Sequence, residues 1–193
     1  MRFATLGPDD SNHAMILRRY LAERGLENAS ITLVDDFTSA FESLVAKRLD
    51  YVLQVTAHPA HADCVGHYMH RAFPVDSFIA ASRPLAIIAR RDRPRPRSLA
   101  LQPATRHYAD LADWPAQRDM PTIVAVAEAV LTGEVDAGLM AEEMAERHPD
   151  TLYRCQSLGA ALDTWVLFGH QPLDRGPMLW PEAPIADRFH DDQ

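Results

Sequence analysis

The chain has 193 residues and is 47% hydrophobic, which is enough for one large domain or two small lobes with separate cores. Its formal net charge of −8 argues against nucleic acid as a partner, because affinity for the phosphate backbone depends on clustered lysines and arginines. A small anionic ligand fits this composition better, since it needs only local N–H donors and one or two cations.

No stretch of about 18 apolar residues occurs, and the first residues lack the basic and apolar segments of a signal peptide. We therefore expect no membrane association and a cytoplasmic location. The two cysteines, Cys64 and Cys155, are too few for a disulfide framework, so we expect both to be reduced and buried.

The first strand and helix are the most informative stretch of the sequence. A strand over residues 2–6 must end at Gly7, which precedes a proline, and Asp10 or Ser11 is placed to cap a helix that ends at Gly25. A helix that opens at the carboxyl end of a strand offers free backbone N–H groups and the positive end of its dipole. The pattern predicts either a binding site for a carboxylate or phosphate, or an ordinary capped turn.

Two further strands follow, with a helix between them. Residues 30–34 predict a strand, the acidic pair ending at Asp36 caps the helix, and residues 51–55 predict a third strand. The third strand leads to His58, which Pro59 holds in an extended or turned conformation. Functional side chains lie at such strand ends, so His58 is a candidate site residue.

Histidine or cysteine occupies every third position of one segment, at His58, His61, Cys64, His67 and His70. Imidazole and thiolate are zinc ligands, so this spacing raises a metal hypothesis. Positions three apart nevertheless drift around a helix with 3.6 residues per turn, and no carboxylate or second His–Cys pair completes a set. We therefore expect a partly exposed, histidine-rich loop and helix, with no bound metal or other cofactor.

The middle of the chain changes from apolar segments to a charged, proline-rich tract. Residues 78–81 and 85–89 predict strands separated by a short break, and residues 90–97 contain five arginines and two prolines. This composition is typical of a stiff linker or surface loop, and it is a weaker indication of a nucleic-acid-binding arm. We expect a change of lobe close to this tract.

The second half of the chain repeats the alternation of strands and helices. Pro103 starts a helix close to Gln102, Thr105 and Arg106, which predicts a second group of free N–H donors with one cation, although Arg106 is also typical of a protein surface. The other predicted elements are strand 98–101, a helix capped by Thr122 and ended by Gly133, strand 137–140, helix 141–148, and strands 152–158 and 164–168. The proline-rich residues beyond Gly169 predict a loosely packed tail.

Strands that alternate with helices in two sets predict two α/β lobes. We expect largely parallel sheets, with a ligand cleft between the lobes at the carboxyl ends of the strands. The expected first lobe is residues 1–89 plus 164–193, and the expected second lobe is residues 90–163.

Three segments resemble, in order and spacing, the catalytic part of prephenate dehydratases: Leu6-Gly7-Pro8-Asp9-Asp10-Ser11, Asp50-Tyr51 and Asp136-Ala137-Gly138. The resemblance extends from residue 3 to about residue 170. It looks closer to the prephenate decarboxylases of bacilysin-type pathways, through the short length, the Tyr68-Met69 pair and the closing Trp165-Val166-Leu167-Phe168-Gly169. It implies a two-lobed fold like that of type II periplasmic binding proteins, without a regulatory ACT domain.

Departures from the dehydratase pattern argue against ordinary dehydratase activity. Asp10-Ser11 occupies the position of Gly-Thr in the dehydratase pattern, so a hydroxyl remains but a flexible glycine is lost. The segment centred on His58 stands at the Glu-Asn-Ser motif, which removes a carboxylate and an amide. Thr164 keeps the threonine of the Thr-Arg-Phe motif, whereas Trp165 replaces its arginine.

The resemblance implies a cytoplasmic lyase of specialised metabolism, such as antibiotic biosynthesis, that decarboxylates prephenate or a related cyclohexadienyl carboxylate without aromatising it. Such an enzyme would protonate the ring and withhold acid from the C4 hydroxyl. The residues implied in substrate binding are Ser11, Asn12, Arg83, Gln102, Thr105 and Arg106, and those implied in catalysis are His58 and Thr164. The alternatives are a residual dehydratase that makes phenylpyruvate and a non-catalytic module that binds small anions. If the chain associates, we expect a homodimer.

Overall fold

The computed structural model describes residues 1–173, and most of the tail expected beyond Gly169 lies outside these described residues. The helices are α1 (Asn12–Glu23), α2 (Phe37–Val45), α3 (His61–Tyr68), α4 (Ile123–Thr132) and α5 (Glu143–Arg147). The strands are β1 (Arg2–Leu6), β2 (Ser30–Val34), β3 (Tyr51–Val55), β4 (Phe73–Ala81), β5 (Leu85–Arg90), β6 (Ser98–Leu101), β7 (Ala116–Asp119), β8 (Ala137–Ala141), β9 (Leu152–Gly159) and β10 (Leu162–Gly169). A 3-10 turn (Pro103–Thr105) follows β6.

The strands form two five-stranded sheets, ordered β2-β1-β3-β10-β4 and β7-β6-β8-β5-β9. In the first sheet β1 runs parallel to β2 and β3, whereas β10 runs antiparallel to β3 and β4. In the second sheet β6 runs parallel to β7 and β8, whereas β5 runs antiparallel to β8 and β9. The expectation of largely parallel sheets is therefore wrong for half of these pairs. The reason is that the strand following each passage between the lobes enters its sheet in the opposite direction.

The chain passes from one sheet to the other at residues 82–84 and returns at residues 160–161. β5 therefore belongs to the second lobe, although the expected boundary at residue 89 assigned it to the first. β5 is a continuous apolar run because it lies inside the second sheet and is buried along its length. The arginine- and proline-rich residues 91–97 connect β5 to β6 within the second lobe and do not join the lobes.

Side-chain caps place the starts of three helices where the sequence predicts them. The side chains of Ser11, Asp36 and Thr122 each accept the backbone N–H three residues further on, at 2.8 to 3.1 Å. α4 ends at Gly133, whose φ of 81° is the left-handed conformation that favours glycine. β7 has no counterpart in the sequence prediction, because all four of its residues are exposed and it lies at a sheet edge.

Each lobe buries an apolar core between its sheet and its helices. In the first lobe α1 packs on the face that carries Phe3 and Trp165, and α2 and α3 pack on the opposite face around Phe41. In the second lobe α4 covers the sheet through Val126 and Val130. Within the described residues, no helix combines the length and the apolar character that crossing a membrane requires.

Gly138 in β8 lies directly against α4. A Cβ at this position would come within 2.5 Å of Val126 Cγ1 and 2.9 Å of Val130 Cγ2. The Gly138→Ala substitution should therefore lower the free energy of unfolding by about 1 to 3 kcal/mol, since buried side chains must move. Gly66→Ala in α3 is the control, because nothing lies within 4 Å of its added Cβ. Denaturant unfolding measures both variants, and equal stabilities would contradict this packing.

Candidate functional site

A cavity of about 330 Å³ lies between the two lobes. The first lobe contributes the ends of β1 and β3, the start of α1 and part of β10, and the second lobe contributes the 3-10 turn, α4 and α5. The predicted ligand cleft is thus present, at the carboxyl ends of β1 and β3. Its volume is at the lower end of the range for small-molecule sites.

Six of the eight residues predicted for the site line this cleft: Ser11, Asn12, His58, Arg83, Gln102 and Thr105. They come from four segments of the chain: the start of α1, the loop after β3, the passage at residues 82–84 and the 3-10 turn. Arg106 and Thr164 do not line it.

Ser11 and Asn12 build the edge of the cleft where α1 begins. The Ser11 hydroxyl donates to the Leu6 carbonyl at 2.9 Å and accepts the Ala14 N–H at 3.1 Å. Its only proton is therefore used within the chain, so the Ser11 hydroxyl has none to donate to a carboxylate in the cleft. The Asn12 Oδ1 accepts the backbone N–H of Arg83 at 3.0 Å, so this side chain attaches α1 to the passage between the lobes.

Arg83 provides a cation in the cleft. Its Nη1 lies 3.3 Å from Glu143 Oε1, and the same oxygen lies 2.9 Å from Arg147 Nη2. Two guanidinium groups thus share one carboxylate, so one positive charge within this trio is not compensated by Glu143. A guanidinium carries five N–H donors, and the long contact to Glu143 leaves Arg83 able to bind a carboxylate of a ligand.

Two imidazoles line the other side of the cleft. His13 packs against Trp165 with ring centroids 5.3 Å apart, and His58 packs edge-on against Phe37 at 4.9 Å. Burial lowers the pKa of His13 to about 4, with a smaller contribution from His58. Burial also lowers the pKa of His58, as does the neighbouring His61. Both rings are therefore neutral at pH 7.

The hydrogen bonds of these rings define what they offer a ligand. The His58 Nδ1 lies 3.1 Å from the Ala60 backbone N–H and accepts it, so the proton of the neutral ring is on Nε2. His58 is thus a neutral hydrogen-bond donor rather than an acid. The His13 Nε2 and the Trp165 Nε1 are buried and have no hydrogen-bond partner among the described residues. Buried polar atoms are normally hydrogen-bonded, so these two are free to contact a molecule that enters the cleft.

The buried His13 should make stability depend on pH below 7. The unfolded chain takes up a proton near the ordinary pKa of 6.5, whereas folded His13 does so only at about 4. The free energy of unfolding should therefore fall as the pH falls from 6.5 to 4. In His13→Gln this fall should be smaller by on the order of 2 kcal/mol. Urea unfolding at several pH values measures it, and the substitution of an exposed histidine, His70→Gln, is the control.

Gln102 and Thr105 maintain the 3-10 turn on the second lobe. The Gln102 Oε1 accepts the Ala104 N–H at 2.8 Å, and the buried Thr105 hydroxyl donates to the Gln102 carbonyl at 2.8 Å. The proline-led helix expected here is only this three-residue turn. Both side chains line the cleft, but their hydrogen bonds are local.

The structure corrects the placement of Arg106 and Thr164. The Arg106 guanidinium pairs with Asp119 and lies 2.6 Å from Gln117 Oε1, so its charge is compensated on β7, away from the cleft. Thr164 is exposed on β10. Successive side chains of a strand alternate between its two faces, and Asp163 and Trp165 are the residues of this segment that line the cleft.

The histidine-rich segment does not bring its ligand-type side chains together. His58 faces the cleft, His61 Nδ1 lies 2.9 Å from Gln54 Oε1, and Cys64 is buried in the core. Across the described residues, no three His, Cys, Asp or Glu side chains form a group that could hold a metal. Cys155 is exposed, contrary to the expectation that both thiols are buried, and both cysteines are free.

Asp163 and Tyr108 are cleft residues that the sequence reasoning missed. Asp163 belongs to β10 in the first lobe, and Tyr108 follows the 3-10 turn in the second. Both side chains line the cleft, and burial raises the pKa of Tyr108, with a smaller contribution from the charge of Asp163. The alternation of β10 could have identified Asp163, because Trp165 two residues later is the large apolar residue expected to face inward.

No family model matches the chain, and no curated protein sequence matches it. Among solved structures, prephenate dehydratase from Arthrobacter aurescens in complex with L-Phe is similar, with a TM-score of 0.62 and 14% identity over 95% of this chain. This chain spans 63% of the length of that dehydratase. The periplasmic VFT2 domain of BvgS from Bordetella pertussis has a TM-score of 0.52 and 16% identity, covering 88% of this chain and 80% of its own. An ABC transporter from Parabacteroides distasonis has a TM-score of 0.55 and 13% identity, and the match covers 100% of this chain and 70% of the transporter chain.

At these identities the likeness shows the fold. The chain has the two-lobed α/β fold of type II periplasmic binding proteins with a cleft between the lobes, and the solved structures similar to it include a prephenate dehydratase.

Proposed function

We propose that the chain decarboxylates prephenate or a closely related cyclohexadienyl carboxylate without aromatising its ring. The observation that carries this proposal is the composition of the cleft: Arg83 lies in it together with two neutral imidazoles and the indole of Trp165, whereas Thr164 lies outside. The similarity of fold to a prephenate dehydratase supports the substrate class.

The cleft divides the proposed substrate between two environments. Arg83 binds the substrate carboxylate that is retained. Its guanidinium is half-buried, and its ion-pair partner Glu143 is shared with Arg147. The carboxylate that is lost lies toward Trp165 and the neutral rings of His13 and His58. An apolar wall favours decarboxylation, because the localised charge of the carboxylate loses more hydration free energy there than the delocalised charge of the transition state does.

The reaction consumes one proton for each carbon dioxide released. The bond between the ring carbon and the carboxylate breaks, its electron pair enters the diene, and a proton from water forms the new C–H bond. His58 donates its neutral Nε2–H to a substrate oxygen and orients the ring, because its Nδ1 already accepts the Ala60 N–H. Loss of hydroxide in a dehydratase needs a proton donor at the hydroxyl. The family motif implies Thr164 as the residue that assists loss of the hydroxyl, but Thr164 lies outside the cleft and cannot donate a proton there.

The test is incubation of the purified protein with prephenate at neutral pH, with a protein-free sample as the blank. Carbon dioxide release and ultraviolet absorbance are followed, and mass spectrometry and NMR identify the product. Carbon dioxide with a non-aromatic product supports the proposal. Carbon dioxide with phenylpyruvate replaces it by dehydratase activity. Thr164→Ala is the matched control and should keep the wild-type rate, since its side chain is exposed outside the cleft.

A non-catalytic binding module is the second candidate. It is favoured by the periplasmic domain and the ABC transporter among the similar structures, and by the neutral state of both imidazoles, which removes an obvious acid. Calorimetric binding of prephenate without any turnover would select this function over the first.

A further inference from the structure

Asp163 is a carboxylate in the cleft that the proposed chemistry does not yet use. It lies near the start of β10, on the face that also carries Trp165, and both side chains line the cavity. Tyr108 lines the same cavity from the second lobe, and the charge of Asp163 contributes to the raised pKa of that phenol. Asp163 therefore lies in the cavity between the two lobes.

The hydrogen bonds of Asp163 leave it able to accept from a ligand. Its Oδ2 accepts the Ser82 hydroxyl at 3.1 Å, and that hydroxyl also lies 3.1 Å from the Ala161 carbonyl. No ion pair within residues 1–173 includes Asp163, and Arg83, the next residue along the chain from Ser82, is paired with Glu143 instead. A carboxylate has about four acceptor positions, so one shared donor leaves most of them unused.

We infer that Asp163 is the residue that recognises a hydroxyl of the ligand, and that the cleft therefore selects a cyclic carboxylate bearing a hydroxyl over the same acid without one. This inference rests on the proposed function, in which Arg83 binds the carboxylate of the same molecule. The two charges have complementary tasks. Arg83 supplies donors for the acidic end of the ligand, and Asp163 accepts a hydrogen bond from its hydroxyl end.

The inference also explains how hydroxide loss is suppressed. A hydroxyl leaves only when a donor protonates it, and an ionised carboxylate that accepts a hydrogen bond from the hydroxyl has no proton to give. The strand register places Asp163 in the cleft and Thr164 on the outer face. Asp163 would thus be a specificity-determining residue that holds the hydroxyl on the ring while carbon dioxide departs.

The test compares two stable probes, phenylpyruvate and 4-hydroxyphenylpyruvate, which differ only by a hydroxyl. Isothermal titration calorimetry gives the ratio of their affinities for the wild-type chain, and we expect the hydroxylated probe to bind roughly 10- to 100-fold more tightly. In Asp163→Asn, which keeps the size and an acceptor for Ser82, this ratio should fall to a few-fold. Thr164→Ala, the adjacent residue on the outer face, should keep the wild-type ratio. Circular dichroism verifies that both variants are folded.

The outcomes separate the inference from the function on which it rests. An unchanged ratio in Asp163→Asn, or equal affinities of the wild-type chain for both probes, overturns the role of Asp163 and leaves the decarboxylase proposal standing. Absence of prephenate turnover together with absence of binding of either probe overturns both. With prephenate as substrate, a larger share of phenylpyruvate among the products of Asp163→Asn would further support the inference, because the hydroxyl is then less restrained.

Discussion

Replacing Arg83 by methionine should weaken binding of a carboxylate ligand on the order of 100-fold. Charge-assisted hydrogen bonds to a guanidinium are among the strongest polar contacts that a cleft offers, and methionine keeps much of the length of the side chain while removing every donor. The backbone N–H of Arg83 that bonds to Asn12 remains, so the passage between the lobes is retained. Calorimetry with phenylpyruvate as the probe measures the loss.

Arg106→Met is the matched control for this substitution. Arg106 carries the same charge, but it pairs with Asp119 and lies outside the cleft. Its loss should change the affinity by less than about threefold, because an exposed ion pair contributes little. If both arginine variants lost affinity equally, the effect would come from the general charge of the protein and the assignment of Arg83 would fail.

Replacing Trp165 by alanine should lower the free energy of unfolding by about 3 to 5 kcal/mol. The indole is 1% exposed, packs against the ring of His13 and belongs to the same core cluster as Phe3 and Leu17, so its removal leaves a cavity in the core beside the cleft. For a chain of this length the melting temperature should drop by roughly 10 °C. Differential scanning calorimetry tests this directly.

Trp165→Phe separates the packing of the indole from its polar group. The Nε1 atom has no partner among the described residues, so phenylalanine loses no hydrogen bond and should cost only about 1 to 2 kcal/mol. A cost for Trp165→Phe as large as that for Trp165→Ala would mean that the N–H makes a stabilising contact after all. Thr164→Ala, one residue away but exposed, should leave the stability within about 0.5 kcal/mol of wild type.

The helix starts were predictable because capping is a local interaction. Ser11, Asp36 and Thr122 each accept an N–H only three residues further on, so the pattern in the sequence and the bond in the structure are the same few residues. Strands such as β2, β3 and β6 were equally predictable, and their bounds are those that the sequence predicts. The two-lobed fold followed from the alternation of these elements.

Which residues line the site was harder to predict from the sequence, because it depends on contacts between distant segments. Arg83 and Arg106 are both arginines near the ends of predicted elements. The sequence around Arg106 does not show that it pairs with Asp119, outside the cleft. Thr164 was selected through a family motif, whereas the register of β10 turns its neighbours Asp163 and Trp165 inward. A shift of one residue along a strand reverses which side chains face the ligand.

The sequence by itself determined the α/β alternation, the helix caps and the position of the strand ends that meet at a cleft, because each depends on residues close together in the chain. Only the tertiary structure decided that β5 belongs to the second lobe, that His13 and His58 are neutral, and that Asp163 rather than Thr164 lines the cleft. Those properties depend on burial and on pairing with segments far along the chain. Burial and long-range pairing arise only when the two sheets have formed and the chain has passed between them twice.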